Sequence, residues 1–370
     1  MKTHKNILVT NSSVIYGGGE YFVLELSRSL HSRGYNVLVG CKPESLLIEK
    51  CRQSGLNVVP IDFPPQGQLL KYVRILSKII REHAIDLVHS NSNYDRTACG
   101  FAALQYNTVH ITNVHSFHSL QYNITHWVRN RFAIDRFIVD GFCVKEMMVK
   151  DDGIPADKIS VVHLGVNPDV MKKDSAQRIA VRKEFGIASD EIVIGNVARM
   201  VPFKGHEYML RAFAVIAPRA PRARLLLIGD GELEESLRRL ADELNVSDKV
   251  IFAGFRDDLV AVYSAFDIYA HSSVEGGGET FPFAVLQALS EELPVVVTRV
   301  GDVPYMVDEG KNGFVTPDRD IDMLAEKLEL LVDNPGQRAS MASYSRELLL
   351  KKFTIDAMVD RIEEIYKQVG

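Results

Sequence analysis

Two cations stand where a strand of a parallel sheet is expected to end. Arg199 and Lys204 follow a predicted strand at 192–197 and precede a predicted helix. At the carboxyl edge of a sheet, beside a helix N-terminus, two such cations could hold a diphosphate and stabilise it as it leaves. Either cation alone would be an ordinary surface residue, so the prediction depends on their spacing and setting.

A glycine-rich loop follows the predicted strand 268–271. It passes through three consecutive glycines to Glu279, and a predicted helix places Gln287 two turns further along. The backbone N–H groups of such a loop, together with a carboxylate and an amide, can bind phosphates and hydroxyls. This segment is the most informative part of the sequence.

A second glycine turn, Gly17-Gly18-Gly19-Glu20, lies between the first predicted strand and a predicted helix. Its backbone could approach an anion and direct N–H groups at it, which makes the turn a candidate phosphate loop. A plain strand-to-helix turn is the alternative. The chain contains neither the dinucleotide fingerprint nor a P-loop motif, which disfavours a nicotinamide oxidoreductase.

His115 follows another predicted strand, where a lone histidine is more often structural than functional. The spacing of His110, His115 and His118 matches no common set of metal ligands. Asp318-Arg319-Asp320 offers an Asp-x-Asp pair, but its place before a predicted helix at 321–332 favours capping of that helix. We therefore predict no metal site.

Short β-rich runs alternate with helical patterns from end to end, which predicts parallel sheets covered by helices. The predicted strands are 6–10, 36–40, 57–61, 87–89, 109–114, 136–139 and 159–163, and then 192–197, 224–228, 250–253, 268–271, 295–298 and 313–316. The break at Asn167-Pro168 divides the α/β chain into two Rossmann-like domains, 1–168 and 169–350, whose sheets would face a central cleft. Residues 351–370 form a final helix whose packing the pattern leaves open.

Taken in order, these motifs resemble family 4 of the retaining glycosyltransferases. In that family's signature, Glu and seven further residues precede a second Glu; Glu279 takes the first place and Gln287 the second. Arg199 and Lys204 match the family's Gly-Arg-Leu-x-x-x-Lys-Gly element, and the turn at 17–20 matches its Gly-Gly-x-Glu loop. Gly229-Asp230-Gly231, Gly254-Phe255 and Asn312-Gly313 also fall in family order, so the resemblance covers essentially the whole chain.

The resemblance implies a GT-B fold and metal-independent transfer of a sugar from a UDP- or GDP-linked donor, with no cofactor. Arg199 and Lys204 would bind the diphosphate. The implied catalytic residues are Glu279, which would contact hydroxyls of the donor sugar, and His115, which would bind the transferred sugar or the acceptor. The other implied donor-binding residues are Gly17, Gly18, Phe255, Thr280, Phe281, Pro282, Phe283 and Gln287.

Retention could arise by double displacement or by front-face attack, in which the leaving phosphate takes the acceptor's proton, and the resemblance favours the front-face route. Gln287 replaces a carboxylate that grips the ribose, so a nucleotide-sugar-binding regulator or partner subunit without turnover is the main alternative. A nucleotide-sugar epimerase of the same architecture is a third. Asp302 and Tyr305 replace the Gly and Glu of the family's Gly-Gly-x-Pro-Glu turn, so the sugar is not predicted.

Charge is distributed unevenly within the net charge of −5: residues 1–165 carry 18 Lys and Arg against 14 Asp and Glu, and the remainder carries 25 against 34. The positive half favours an anionic partner such as a bilayer, with solvated surface as the alternative. The basic helical pattern at 66–81 suits either a membrane surface or, as we prefer, a helix covering the sheet. Trp127, Arg129 and Arg131 form a second cationic and aromatic cluster. Nucleic-acid binding has no further support.

Four widely spaced cysteines and the lack of a signal-like or membrane-spanning apolar run predict a cytoplasmic protein. The acceptor would be a glycan or a lipid-linked molecule, met in the second case at the inner face of the membrane. Synthesis of a polysaccharide or lipopolysaccharide would fit both acceptors.

Overall fold

The computed structural model describes residues 5–63, 68–115, 117–120 and 123–369. These residues form two compact units. The first unit comprises Met1–Leu164 together with Ile355–Gly370, and the second comprises Gly165–Thr354. Gln66 and Gly67, the first residues of the predicted basic helix, lie outside the described residues.

The first unit is built on a parallel sheet, as the alternating pattern predicts. Its strands are β1 Asn6–Asn11, β2 Asn36–Cys41, β3 Asn57–Pro60, β4 Leu87–Ser90, β5 Val109–Val114, β6 Arg136–Val139 and β7 Ile159–Val161. Their order in space is β3-β2-β1-β4-β5-β6-β7, so the direction of winding reverses between β1 and β4. Open α/β sheets bind ligands beyond the carboxyl ends of the strands at such a point.

Helices cover both faces of this sheet, which explains why its central strands are continuous apolar runs. They are α1 Gly18–Ser32, α2 Leu46–Gln53, α3 Leu69–Glu82, α4 Asn93–Gln105, α5 Ile124–Phe132 and α6 Phe142–Lys150, with a 3-10 turn at Ala156–Lys158. In α3, Tyr72, Leu76 and Ile80 are buried in the hydrophobic core. The preferred interpretation of this basic helix, that it covers the sheet, is therefore confirmed.

The second unit repeats the architecture. Its strands are β8 Ile192–Val197, β9 Ala223–Ile228, β10 Val250–Phe252, β11 Ile268–His271, β12 Val295–Thr298 and β13 Gly313–Thr316. They pair in parallel in the order β10-β9-β8-β11-β12-β13, which places the reversal between β8 and β11. The two segments that sequence analysis selected for chemistry, 199–204 and 271–287, leave the carboxyl ends of these two neighbouring strands.

The helices of the second unit are α7 Ser175–Glu184, α8 His206–Ile216, α9 Glu234–Glu243, α10 Leu259–Ser264, α11 Phe283–Ser290, α12 Ile321–Asp333 and α13 Pro335–Lys352, with 3-10 turns at Pro202–Lys204 and Val303–Met306. The last helix, α14 Ile355–Gln368, belongs to the first unit, where it packs on α1. The sequence had left the packing of this helix open. Within the described residues, no helix is both long and apolar enough to cross a membrane.

Candidate active site

The centre of the candidate site in the second unit is one carboxylate oxygen that receives three donors. Oε2 of Glu279 lies 2.5 Å from Nζ of Lys204, 2.7 Å from Oγ of Ser273 and 3.1 Å from Nε2 of His271. The Lys204 and Glu279 side chains are 15% and 10% exposed, so water screens their attraction only weakly. The sequence placed Lys204 and Glu279 in one site, and the structure pairs them directly.

Glu279 is held as an anion. Burial by itself would raise the pKa of this carboxyl group, but the hydrogen bond from His271 and the charge of Lys204 outweigh burial and hold the pKa well below its usual range. A carboxylate in this state is a weak base and a weak nucleophile near neutral pH. It remains a strong hydrogen-bond acceptor, which suits recognition of hydroxyl groups.

A close approach of backbone segments brings the pair together. Gly205 has φ of 65°, and a Cβ atom at this position would lie 2.0 Å from the carbonyl oxygen of Ser272, so only glycine fits. Oγ of Ser272 also donates to the carbonyl oxygen of Lys204 over 3.0 Å. Glycine at 205 therefore lets the start of α8 lie directly against the end of β11.

Arg199 lies beyond the carboxyl end of β8 with an exposed side chain. Among the described residues its guanidinium has no hydrogen-bonding or ion-pair partner, in contrast to the paired Lys204.

The first residue of α8, His206, is buried, and both of its ring nitrogens also lack a partner within the described part of the chain. Burial, and secondarily the charge of Lys204, lower the pKa of His206 to about 4, so the ring is neutral near pH 7.

The segment from Thr280 to Phe283 leads into α11. Thr280 and Phe281 are buried, and Phe281 packs against Phe353 with ring centroids 5.6 Å apart. Pro282 takes the N-cap position, and the helix begins at Phe283. The backbone here is thus fixed by packing at the carboxyl edge of the sheet, where a helix N-terminus favours anions.

Gln287 is half-buried on α11, one turn after Phe283. No other described residue forms a hydrogen bond with its side-chain amide. Phe255, which follows β10, is 72% exposed. Both side chains are therefore available to a ligand at this edge.

The Asp-x-Asp pair has structural roles. Oδ1 of Asp320 accepts a hydrogen bond from the backbone N–H of Met323 over 2.9 Å and caps α12, as predicted. Oδ2 of Asp318 accepts from the backbone N–H of Glu275 over 3.1 Å and so holds the glycine-rich loop. Within the described residues, no group of three or more His, Cys, Asp or Glu side chains is arranged to hold a metal ion.

The glycine turn of the first unit is capped by its own glutamate. Oε2 of Glu20 accepts a hydrogen bond from the N–H of Gly17 over 2.9 Å, and Oε1 accepts from Nδ2 of Asn11 over 3.1 Å. Gly17 and Gly18 are exposed at the N-terminus of α1. The turn is thus held rigidly while its backbone stays accessible.

His115 follows β5 at the same edge of this sheet. The ring of Phe22 in α1 meets it edge-on with centroids 5.0 Å apart. Its Nε2 lies 3.4 Å from Nδ2 of Asn113, and its Nδ1 lies 3.7 Å from Oδ2 of the buried Asp140. The structure therefore places His115 beside the helix that starts at the glycine turn.

Two family models match the chain in consecutive segments. Residues 16–170 match Glycosyltransferase Family 4, and residues 177–348 match Glycosyl transferases group 1. The chain belongs to this glycosyltransferase family. The resemblance inferred from the order of the motifs is confirmed.

Curated relatives of this glycosyltransferase include two mycobacterial enzymes. A GDP-mannose-dependent alpha-(1-6)-phosphatidylinositol monomannoside mannosyltransferase of Mycobacterium tuberculosis is 29% identical over 58% of this chain and 57% of its own length. A D-inositol 3-phosphate glycosyltransferase of Mycolicibacterium smegmatis is 33% identical over 55% of this chain and 46% of its own length. The chain spans about half the length of the curated relatives it matches.

Solved structures of similar fold cover the chain end to end. A glycosyltransferase from Rickettsia africae has a TM-score of 0.89 at 18% identity and covers 100% of this chain and 99% of its own. HepE from Anabaena, solved in complex with UDP, has a TM-score of 0.85 at 20% identity and covers 98% and 100%. The TM-scores over nearly the whole chain establish the fold, and at these low identities they establish the fold alone. The predicted two-domain GT-B architecture is confirmed.

Two features of this glycosyltransferase escaped sequence analysis. His271 and Ser273 complete the donor set around Glu279, and their positions at and just after the end of β11 were the available signal. Arg129, assigned to a cationic surface cluster, is instead buried and donates to the carbonyl oxygen of Leu120 over 2.7 Å. The assignment was wrong because α5 turns this residue inward, while Trp127 and Arg131 remain exposed.

Proposed function

We propose that this glycosyltransferase transfers a sugar, with retention and without a metal ion, from a nucleotide diphosphate sugar to a glycan or lipid-linked acceptor. The observation that carries the proposal is the pairing of Lys204 with Glu279 at the switch point of the second sheet, where Arg199 also lies and has no partner among the described residues. UDP- and GDP-linked sugars are the donors proposed. Family membership supports the class of reaction, and the arrangement of charges supports the roles.

Departure of a nucleoside diphosphate builds negative charge on its terminal phosphate. Fixed cations that are already in place stabilise this charge without reorganising water. The exposed Arg199, which no other described residue engages, would bind the diphosphate, and Lys204 is held by Glu279 close to the N-terminus of α8. These two residues supply the stabilisation that a metal ion provides in other transferases.

The state of Glu279 supports front-face displacement over a covalent intermediate. A nucleophile in a double displacement needs an accessible carboxylate, whereas one oxygen of Glu279 already accepts three hydrogen bonds and its pKa is lowered. We therefore assign Glu279 to the hydroxyls of the donor sugar. The leaving phosphate would take the acceptor's proton.

Gln287 favours a second candidate function, a nucleotide-sugar-binding protein without turnover. Its amide can donate to and accept from the ribose hydroxyls, but it lacks the charge of the carboxylate in the family motif. Such a protein would bind the donor without forming product. A thermal-shift screen combined with product detection distinguishes the two functions.

The test is a thermal-shift screen of the full chain against UDP, GDP, ADP and their common sugar conjugates, without added metal, followed by product detection with the donor that stabilises most. Arg199→Ala should abolish the shift. Arg222→Ala is the matched control, because Arg222 is exposed just before β9, at the opposite edge of the sheet. A shift without product would favour the binding protein, and stabilisation by none of the donors would contradict both functions.

We also propose that a lipid-linked acceptor is met at an anionic membrane by the outer face of α5. Ile124, Trp127 and Phe132 are 73%, 44% and 58% exposed and lie on one side of the helix with the exposed Arg131. Exposed aromatic residues beside a cation suit the interface of an anionic bilayer. A cytoplasmic enzyme acting at the inner face of the membrane would then meet its acceptor there.

Sedimentation with vesicles of phosphatidylglycerol and phosphatidylcholine tests this surface. Trp127→Ser should weaken binding to vesicles that contain phosphatidylglycerol and leave the donor-induced thermal shift unchanged. Leu350→Ser, which changes an exposed apolar residue on α13 in the second unit, is the control. Equal binding by all three proteins would contradict membrane contact through α5.

A further inference from the structure

A buried chain of hydrogen bonds links the last helix of the first unit to His115. The hydroxyl of Tyr366 in α14 lies 2.6 Å from Nδ1 of His89, and Nε2 of His89 lies 2.9 Å from Oδ1 of Asn113. Nδ2 of Asn113 lies 3.4 Å from Nε2 of His115. Tyr366, His89 and Asn113 are at most 2% exposed, so water does not compete for these contacts.

The chemistry of these groups determines which atom donates and which accepts in each hydrogen bond. Among the described residues, His89 is the sole acceptor within reach of the buried Tyr366 hydroxyl, so this hydroxyl donates to Nδ1 of His89. Burial, partly offset by the hydrogen bond to Asn113, lowers the pKa of His89 to about 4. The ring is therefore neutral near pH 7, and its single proton lies on Nε2 and is donated to Oδ1 of Asn113.

The direction continues to His115. With Oδ1 of Asn113 directed at His89, the amide nitrogen Nδ2 must face His115 and donates to its Nε2. The proton of a neutral His115 then lies on Nδ1, which faces the carboxylate of Asp140 at 3.7 Å. The opposite direction would leave the Tyr366 proton without an acceptor and would turn a lone pair of His115 toward an anion, so both ends favour the same arrangement.

We propose that Tyr366 is a positioning residue that fixes, through His89 and Asn113, which ring nitrogen of His115 carries the proton. The role of His115 toward a sugar rests on the proposed function. In this state Nε2 is the accepting nitrogen of the ring and is engaged by Nδ2 of Asn113, whereas Nδ1 carries the proton that His115 can donate. The last helix thereby determines which ring nitrogen donates and which accepts in a histidine more than 200 positions earlier in the sequence.

Nitrogen-15 NMR of histidine-labelled protein tests the proposal, because protonated and unprotonated ring nitrogens have well-separated shifts. Signals are assigned by comparison with His89→Gln and His115→Gln. The native chain should show the proton on Nε2 of His89 and on Nδ1 of His115. Tyr366→Phe should produce mixed tautomers at His89 and His115 and reduce kcat about five- to tenfold.

Tyr35→Phe is the matched control, since the hydroxyl of Tyr35 also contacts α14, through Glu363, but lies outside the chain of hydrogen bonds. A proton on Nε2 of His115 in the native chain would overturn the proposal, and that measurement does not depend on the folding of Tyr366→Phe. Unchanged tautomers in Tyr366→Phe, or a loss of kcat no larger than that of Tyr35→Phe, would also overturn it. Absence of transfer by the native enzyme would instead reject the proposed function, and the tautomers would still be measured.

Discussion

The two units contain the same kind of sheet, but the polar side chains at its carboxyl edge differ in charge. In the second unit, Lys204 and Glu279 form an ion pair within a set of three donors. In the first unit, the buried histidines near His115 are neutral at pH 7, because burial lowers the pKa of His89 to about 4 and that of His110 to about 3, and the carboxylate of Asp140 lies 3.7 Å from His115 without forming a close ion pair. One edge is thus suited to stabilise developing charge, and the other to orient hydroxyl groups.

If this contrast is correct, the largest loss of activity should follow removal of the cation in the second unit. We expect Lys204→Ala to reduce kcat about 10²- to 10³-fold, because it removes the charge that we propose stabilises the leaving diphosphate. His271 and Ser273 still satisfy Glu279, so the fold should persist. The measurement is steady-state transfer with the donor found by thermal shift.

Lys183→Ala, an exposed lysine on α7, is the control and should retain native kcat. A loss of less than tenfold in Lys204→Ala would mean that Arg199 and the backbone alone stabilise the leaving group. The ion pair would then be structural.

Neutralising the anion should lower stability, in addition to weakening the proposed contact with the donor sugar. Glu279→Gln leaves Lys204 as a largely buried, unpaired cation, and we expect a loss of about 3 kcal/mol in the free energy of unfolding at pH 7. Because the pKa of Glu279 is lowered in the folded state, its contribution is complete above the unfolded-state pKa of about 4.3 and is lost as pH falls through the folded pKa. The difference between native and variant should therefore shrink below about pH 4.

Urea unfolding at a series of pH values, followed by circular dichroism, measures this difference. Glu326→Gln removes an exposed ion pair with Lys327 on α12 and should change little at any pH. A difference for Glu279→Gln that stays constant down to pH 3 would show that the native carboxyl group is not ionised in the way the contacts indicate.

Local patterns predicted the strands because strands buried on both faces are apolar runs bounded by turn residues. They also placed Arg199 and Lys204 correctly, since a residue that follows a parallel strand must lie at its carboxyl edge. The series of hydrogen bonds from Tyr366 to His115 was not predicted, because nothing in the sequence indicates that Tyr366 pairs with His89, 277 positions earlier. The sequence does show that His89 and Asn113 are polar residues inside buried strands, which indicates that each must have hydrogen-bonding partners.

In the first unit, loss of His115 should reduce activity less than loss of Lys204, because one hydrogen bond to a hydroxyl group stabilises a transition state less than a fixed charge beside the leaving group. We expect His115→Ala to lower kcat about 10- to 30-fold. His31→Ala, an exposed histidine on α1, is the control. A loss as large as that of Lys204→Ala would contradict the contrast between the two edges and indicate proton transfer by His115.

The smallest expected effect is a gain. Gln287→Glu restores the carboxylate of the family motif, and a charged acceptor for the ribose hydroxyls should tighten donor binding about three- to tenfold in titration calorimetry. Gln337→Glu makes the same change on α13 and should leave the dissociation constant unchanged. If Gln287→Glu weakens binding instead, the added charge repels the donor's phosphates more than it attracts the ribose. Gln287 would then be an adaptation of a site in which Glu279 already supplies the anion.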